Sequence, residues 1–322
     1  MRAVFIEQPC GIDAMRYGDF PTPQPGPGEV LVKIAYSGVN FIDTYHRSGL
    51  YKIPLPAVIG SEGSGKVEKL GEGVTGFKPG DRVAYTMARG SYAEFQSVPA
   101  AQLVKIPDNV DDPTAAACML QGCTAQYLTH STFPLKKGQT ALVHAAAGGT
   151  GRLVVQMATM IGARVIATVG SEAKAKLTLG DGASDAILYN QQDFVAEVKR
   201  LTGSKGVEVV YDGVGQATLL KGFDCLKPRG MMVAFGNSSG PPAPVEPALL
   251  QAKGSLYLTR PTLIHYIASR EDLEWRTSDL FRWIGEGKLK INIDKIYPLA
   301  EAAQAQRDIE DRKTTGKLIL KV

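Results

Sequence analysis

A short apolar run, TALVHA at 140–145, passes directly into Ala146-Ala147-Gly148-Gly149-Thr150-Gly151 and then into the helix-like stretch RLVVQMATMIGA at 152–163. Nothing else in the chain constrains the fold as strongly. A strand that becomes a helix through such small residues brings the helix N-terminus to the strand tip. The unpaired N–H groups of the first turn then point outward with the positive end of the helix dipole. The spacing is that of G-x-G-x-x-G with Ala146 in the first place, a change that keeps the residue small. Gly148 would let the backbone approach a pyrophosphate, and Gly151 would let the helix pack closely on the strand. Glycine spacing alone is a weak signal. Its position after a strand and before a helix makes a dinucleotide site the expected reading.

The rest of the chain divides around this turn. After Thr140 the apolar runs TALVHA, ARVIATV, AILY, GVEVVYD, GMMVAFG and SLYL are continuous rather than alternating, as in parallel strands covered on both faces. Helices are expected at about 150–161, 171–179, 193–202 and 216–226, which predicts a doubly wound six-stranded parallel sheet over 123–264. Residues 1–122 instead carry short β-rich runs broken by glycine and proline, MRAVFIE, EVLVKIAYSGV, GSGKVEKLG, DRVAYT, YAEFQSV and QLVKI, and predict an irregular β-barrel-like domain. Helices near 270–285 and 299–311 and a last strand KLILKV are expected to complete that first domain as 265–322. The class is α/β with two cores, which 322 residues at 44% hydrophobic content can fill.

Composition narrows the function classes. The 36 basic and 32 acidic residues leave a formal charge of +4 with no long basic run, which argues against a nucleic-acid partner. No segment offers the roughly 20 apolar residues of a membrane span, and the N-terminus lacks a signal-peptide pattern, so a cytoplasmic protein is expected. Cys10, Cys118, Cys123 and Cys225 show no disulfide or C-x-x-C pattern and are read as reduced thiols.

The second predicted strand ends at Thr168-Val169-Gly170-Ser171 without the Asp or Glu that would bind a ribose 2′-hydroxyl. Ser171 and Lys174 suit a 2′-phosphate, which favours NADPH over NADH. The competing reading is that Ser171 caps the next helix and Lys174 is a surface residue, with Glu172 near enough to serve the hydroxyl.

Longer motifs carry a resemblance. The stretch Gly60-Ser61-Glu62-Gly63-Ser64-Gly65-Lys66-Val67, with Leu70-Gly71, Gly73-Val74 and Phe77-Lys78-Pro79-Gly80-Asp81-Arg82-Val83, resembles the quinone oxidoreductase and zeta-crystallin group of medium-chain dehydrogenases/reductases. Gly38-Val39-Asn40-Phe41-Ile42-Asp43, Arg47-Ser48-Gly49, His144–Gly149 and Phe235-Gly236-Asn237-Ser238-Ser239-Gly240 are similar to it as well, over essentially the whole chain. The resemblance implies a GroES-like barrel domain beside a Rossmann domain, NADPH as cofactor and quinones as acceptors. It also implies a homodimer joined through the edge strand SLYL at 255–258. Zinc-binding members of this architecture carry cysteine at the position of Asn40 and histidine at that of Ser61. Neither residue present here is a useful zinc ligand, so no metal site is expected. Cys118 and Cys123 are read as core residues or surface thiols, His46 as a polar surface residue and His144 as a satisfied core residue.

Carried over residue by residue, the resemblance implies cofactor contacts from Asn40, Phe41 and Asp43 at the nicotinamide end and from Thr124 at the domain junction. Gly148, Gly149, Thr150 and Gly151 would hold the pyrophosphate, and Gly170, Ser171, Lys174 and Tyr189 the adenosine phosphate. Phe235, Gly236, Asn237 and Ser238 follow the fifth strand of the sheet; Arg260 and Lys317 complete the set. Asn40, Tyr45 and Tyr51, in a stretch mixing polar and aromatic side chains, are the candidates to line the acceptor pocket and serve catalysis. No residue stands out as a general acid. Two rival functions stay open: NADPH-dependent reduction of 2-alkenals or enones, and a zeta-crystallin-like RNA-binding or structural role.

Overall fold

The computed structural model describes all 322 residues, and the chain divides into two compact units, Met1–Cys123 with Tyr266–Val322, and Thr124–His265.

In the second unit, six strands form one sheet in the spatial order Asp185–Leu188, Arg164–Val169, Thr140–Val143, Val207–Asp212, Leu226–Ala234, Tyr257–Thr259. Every pairing is parallel. The chain order reverses between Thr140–Val143 and Val207–Asp212, the point at which sheets of this kind bind ligands beyond the strand ends. The continuous apolar runs are explained by burial on both faces: Ala141, Leu142, Val143, Ile166, Val209, Val210 and Val233 have no exposed surface. Leu142, Ile166, Val210, Phe223 and Met232 form the centre of one core cluster. The helix expected near 150–161 spans Gly149–Ile161 and stops at Gly162, whose φ of 87° lets its N–H reach back to the Ala158 and Thr159 carbonyls. Between Val207–Asp212 and Leu226–Ala234 the expected helix is only a turn, Leu219–Gly222, followed by a 3-10 turn at Phe223–Cys225.

The first unit holds a seven-stranded sheet. Ile293–Pro298, Lys317–Lys321, Glu29–Val39, Glu62–Leu70, Arg82–Thr86 and Val104–Lys105 follow one another in space, and Phe95–Pro99 also pairs with Glu29–Val39. A smaller sheet joins Arg16–Asp19, Arg2–Ile6 and Ala57–Val58. The strand Ile293–Pro298 was not legible in the sequence. It lies mostly exposed at a sheet edge and alternates weakly. The helices Arg270–Gly285 and Ala302–Glu310 contribute to this unit's cores through Leu273 and Phe281 and through Ala302 and Ala305. No helix is long and apolar enough to cross a membrane.

Two histidines depart from expectation. His46 is not a surface residue: it is only 9% exposed, on the helix Phe41–Ser48, and its Nδ1 has no hydrogen-bond partner. An unrecognised helix is the reason, since it turns His46 inward with Asp43 and Arg47. His144 is in the core as expected but only half satisfied. Its Nδ1 lies 2.9 Å from Thr168 Oγ1, while Nε2 has no partner.

Candidate functional site

The second unit presents a backbone cradle, the glycine turn between the strand Thr140–Val143 and the helix Gly149–Ile161. Gly148 is the N-cap of Gly149–Ile161, and no side chain caps the helix, so its first-turn N–H groups are free of side-chain acceptors. A Cβ on Gly151 would collide with the Ala145 carbonyl and lie 2.8 Å from Ala146 Cα, so only glycine allows the helix to sit this close to the strand tip. At Gly148 a Cβ would stand 3.2 Å from the Ala145 carbonyl, a milder contact.

Beside this cradle the neighbouring strand ends at Val169. Gly170 lets the Tyr189 hydroxyl come to 2.8 Å from where its Cβ would be, and its carbonyl accepts from Asn190 Nδ2 at 2.9 Å. Ser171 caps the helix Glu172–Gly180, its Oγ accepting the Lys174 N–H at 3.3 Å. The capping reading of Ser171 therefore holds. Ser171 thus stands directly after the strand, and Glu172 and Lys174 both follow in the first turn of the helix.

The turn Phe235–Gly240 is pinned rather than loose. Ser238 N donates to the Gly213 carbonyl (3.2 Å), Ser239 N to the Val214 carbonyl (2.9 Å) and Gly240 N to the Asn237 carbonyl (2.9 Å). Arg260 braces it by donating to the Ala234 and Gly236 carbonyls at 2.8 and 3.0 Å. Asp212 organises the partner loop by accepting from Val214 N, Gly215 N and Thr218 Oγ1 at 2.7, 3.1 and 2.8 Å. The acid and two glycines of Asp212-Gly213-Val214-Gly215 were a visible signal for this loop, and sequence reasoning passed over it. Thr124 lies on the helix Asp112–Tyr127, at the first position of the second unit.

The first unit holds a buried polar cluster. Asn40 follows the strand Glu29–Val39 and opens the helix Phe41–Ser48 through a capping box with Asp43: the Asn40 carbonyl accepts the Asp43 N–H at 3.0 Å and the Asn40 N–H goes to Asp43 Oδ2 at 2.9 Å. The Asn40 Oδ1 also accepts from Lys317 Nζ at 2.7 Å, and its Nδ2 donates to Glu62 Oε1 at 2.8 Å. Lys317 and Glu62 form an ion pair whose side chains are 2% and 0% exposed. Glu62 Oε2 accepts the Leu120 N–H at 2.6 Å. Asp43 accepts from Ser61 Oγ (2.6 Å) and Tyr92 OH (3.1 Å). Burial pushes the Asp43 carboxyl up to about 6, against the bonds from Ser61 and Asn40 and the Lys317 charge that favour its ionised form.

Two of the expected cofactor contacts are engaged within the barrel. Asp43 has no exposed surface and holds the start of the helix. The ammonium of Lys317, expected among the cofactor contacts, is engaged inside the barrel by Glu62 and Asn40. Sequence reasoning missed Glu62 altogether, although an acid set among Gly60, Ser61, Gly63 and Ser64 was a usable signal. Of the other candidates, Phe41 and Tyr45 are half-buried, with ring centroids 6.3 Å apart, and Tyr51 is 38% exposed and meets Tyr45 edge-on at 5.2 Å. Arg47 ties the helix to Ala302–Glu310 through Gln306 (2.8 Å) and Glu310 (2.5 Å).

The donor set does not suit zinc. At the two positions where zinc-binding members of this architecture carry ligands stand an amide already bonded to a cation and a hydroxyl donating to Asp43, and the Lys317 ammonium adjoins the amide. Cys118 and Cys123 are core residues with no exposed surface; burial holds the Cys118 thiol well above its ordinary value and pushes that of Cys123 up to about 12. No three His, Cys, Asp or Glu side chains converge as a metal site would require.

Known proteins resemble the chain over nearly its whole length. Residues 26–108 match the family described as alcohol dehydrogenase GroES-like domain, and residues 182–320 the family described as zinc-binding dehydrogenase. The chain is 46% identical over 312 residues to a quinone oxidoreductase of Pseudomonas aeruginosa, covering 96% of each. It is 41% identical to a 2-haloacrylate reductase of a Burkholderia species, covering 99% of this chain and 98% of that one. The structure of an Escherichia coli quinone oxidoreductase complexed with NADPH superposes with a TM-score of 0.98 at 40% identity, covering 100% of both chains.

Proposed function

The chain belongs to the quinone oxidoreductase family of medium-chain dehydrogenases/reductases, and from that premise we propose that it is an NADPH-dependent quinone oxidoreductase working without a metal ion. The observation that supports the cofactor choice is the strand tip at Val169-Gly170-Ser171, which has no carboxylate, with Ser171 and Lys174 at the start of the helix that follows it.

The residues present fit NADPH. The N–H groups of Gly149, Thr150 and Gly151 hold its pyrophosphate through the helix dipole. Gly170, Ser171, Lys174 and Tyr189 hold the 2′-phosphate, and the braced turn Phe235–Ser238 with Arg260 supports the cofactor from the next strand. When bound, NADPH supplies the two electrons and the proton equivalent that the acceptor takes up. In the first unit, Asn40 is the group that donates a hydrogen bond to the acceptor oxygen, with Phe41, Tyr45 and Tyr51 as the flat surfaces that orient an electron-poor ring.

A metal is dispensable for this acceptor. An alcohol dehydrogenase must stabilise an alkoxide and uses a Lewis acid to do so. A reduced quinone is a phenolate-type anion, whose conjugate acid titrates at about 10 like tyrosine, so a hydrogen-bond donor suffices.

A second reading has its own support: the 41% identity to a 2-haloacrylate reductase extends over nearly the whole chain, and an enoate is also an electron-poor conjugated acceptor. Parallel assays of NADPH and NADH oxidation with 1,4-benzoquinone, phenanthrenequinone, a 2-alkenal and 2-chloroacrylate separate the two. Rapid quinone reduction with NADPH is expected. Preference for the alkenal or chloroacrylate would move the substrate to the second class, and NADH as the better donor would overturn the cofactor reading. Homodimerisation fits the edge strand Tyr257–Thr259, which pairs on one side only and exposes Tyr257; a monomer in sedimentation at micromolar concentration would refute it. The four cysteines are free thiols, in keeping with a cytoplasmic protein.

A further inference from the structure

We infer that Lys317 is a positioning residue for the reduction proposed above: its ammonium, paired with Glu62, fixes the orientation of the Asn40 amide and acts on the reaction through it.

The strand pairing creates the arrangement. Leu318 is in register with Val39, so Lys317 stands at the end of the ladder beside Asn40. Gly63 is in register with Ser37, so Glu62 comes from the opposite neighbour. The Asn40 side chain lies between these two charges with its oxygen toward Lys317 and its nitrogen toward Glu62. A flipped amide would set N–H groups against an ammonium and a carbonyl against a carboxylate, so the charges select one orientation. The second oxygen of Glu62 is held by the Leu120 N–H, which keeps the carboxylate from rotating away.

A buried ion pair is a weak source of stability, because desolvation offsets much of the attraction. Its effect on the amide is a clearer consequence. A cation on Oδ1 draws electron density out of the amide and offsets the density that the Glu62 carboxylate pushes in through one Nδ2 hydrogen, which keeps the remaining one a competent donor. One Nδ2 hydrogen is bonded to Glu62. The other has only a contact at 3.5 Å with the Gly38 carbonyl, too long to satisfy it. Such a donor is best matched to an oxygen that gains negative charge as the acceptor is reduced.

This inference rests on the quinone reductase reading, and its test separates the two. In the double variant K317M/E62Q both charges are removed, so no orphan ion is left in the barrel, and the fold survives even where K317M alone does not. Melting temperature and NADPH affinity by fluorescence titration are expected to stay near wild type, while kcat for the quinone falls by about 10- to 100-fold, less than the loss of a whole oxyanion donor. K317R is expected to retain most of the activity. A double variant with wild-type kcat would overturn the inference. A readout independent of turnover is the Asn40 side-chain 15N–1H pair in asparagine-labelled protein, assigned by its disappearance in N40D. It is expected downfield in wild type and K317R and near free-amide positions in the double variant; an unchanged pair would also overturn the inference. If wild-type protein reduces no quinone with NADPH, the proposed function fails, and the amide resonance still decides whether Lys317 orients Asn40.

Discussion

The carboxylate arm of Glu62 fills the space that a side chain on Gly38 would need. Both residues lie on adjacent antiparallel strands, and the missing Cβ is what allows a charged side chain to cross the ladder toward Asn40 and Lys317. Gly38→Ala is therefore expected to push Glu62 aside and break the triangle of Asn40, Glu62 and Lys317. Overpacking of this kind costs about 1–3 kcal/mol. Chemical denaturation should show that loss, and kcat should fall together with it.

The two glycines of the phosphate turn have separable tasks. A Cβ at Gly151 meets backbone atoms that cannot swing away, whereas at Gly148 it meets a single carbonyl oxygen at 3.2 Å. Gly151→Ala is expected to lower stability in the absence of cofactor by about 1–3 kcal/mol. Gly148→Ala is expected to melt near wild type yet bind NADPH more weakly. Thermal melts with and without NADPH distinguish these outcomes.

On the proposed reading, discrimination between NADPH and NADH rests on Lys174, in the first turn of the helix Glu172–Gly180. Removal of a charged hydrogen-bond donor costs about 1.5–3 kcal/mol, or roughly 10- to 100-fold in affinity. Lys174→Ala should raise the KM for NADPH by that factor and leave the KM for NADH unchanged. Equal effects on both cofactors would remove Lys174 from the 2′-phosphate site.

Acid stability should carry the signature of His46. Burial, reinforced by the positive charge of Arg89, lowers this imidazole from 6.5 to about 4. In the folded state it stays neutral, while the unfolded chain takes up a proton below 6.5. Its contribution is therefore fully present above pH 6.5 and is lost as pH falls toward 4, by up to about 3 kcal/mol. Compared at each pH, His46→Gln should close the stability gap to wild type, or overtake it, as pH drops from 7 to 4. Denaturation midpoints of the two proteins at pH 7, 5.5 and 4 provide the check, and a constant difference would mean that His46 is not the titrating group.

The order of strands in the second unit was legible along the chain, whereas the helix expected near 216–226 is only a turn. The unit's strands are continuous apolar runs because both faces of a parallel sheet are buried, and its glycine turn is a contiguous stretch whose chemistry is local. The places of Gly148, Gly151, Gly170 and Ser171 at strand ends and helix starts could be read because strand, turn and helix follow one another along the chain. The departures of Asn40 and Ser61 from zinc ligands were legible for the same reason, as single positions inside long motifs. Only the tertiary structure decided the polar cluster of the first unit. Lys317 lies 255 residues from Glu62, and no periodicity links them. Their meeting depends on the register of three antiparallel strands and on a glycine that gives way to a neighbour's side chain. Burial was decided at the same level: His46 and Asp43 are ordinary surface residue types, turned inward by a short helix whose start depends on the capping box between Asn40 and Asp43. A charged side chain becomes a positioning device only when packing removes the water around it, and packing is a property of the assembled fold.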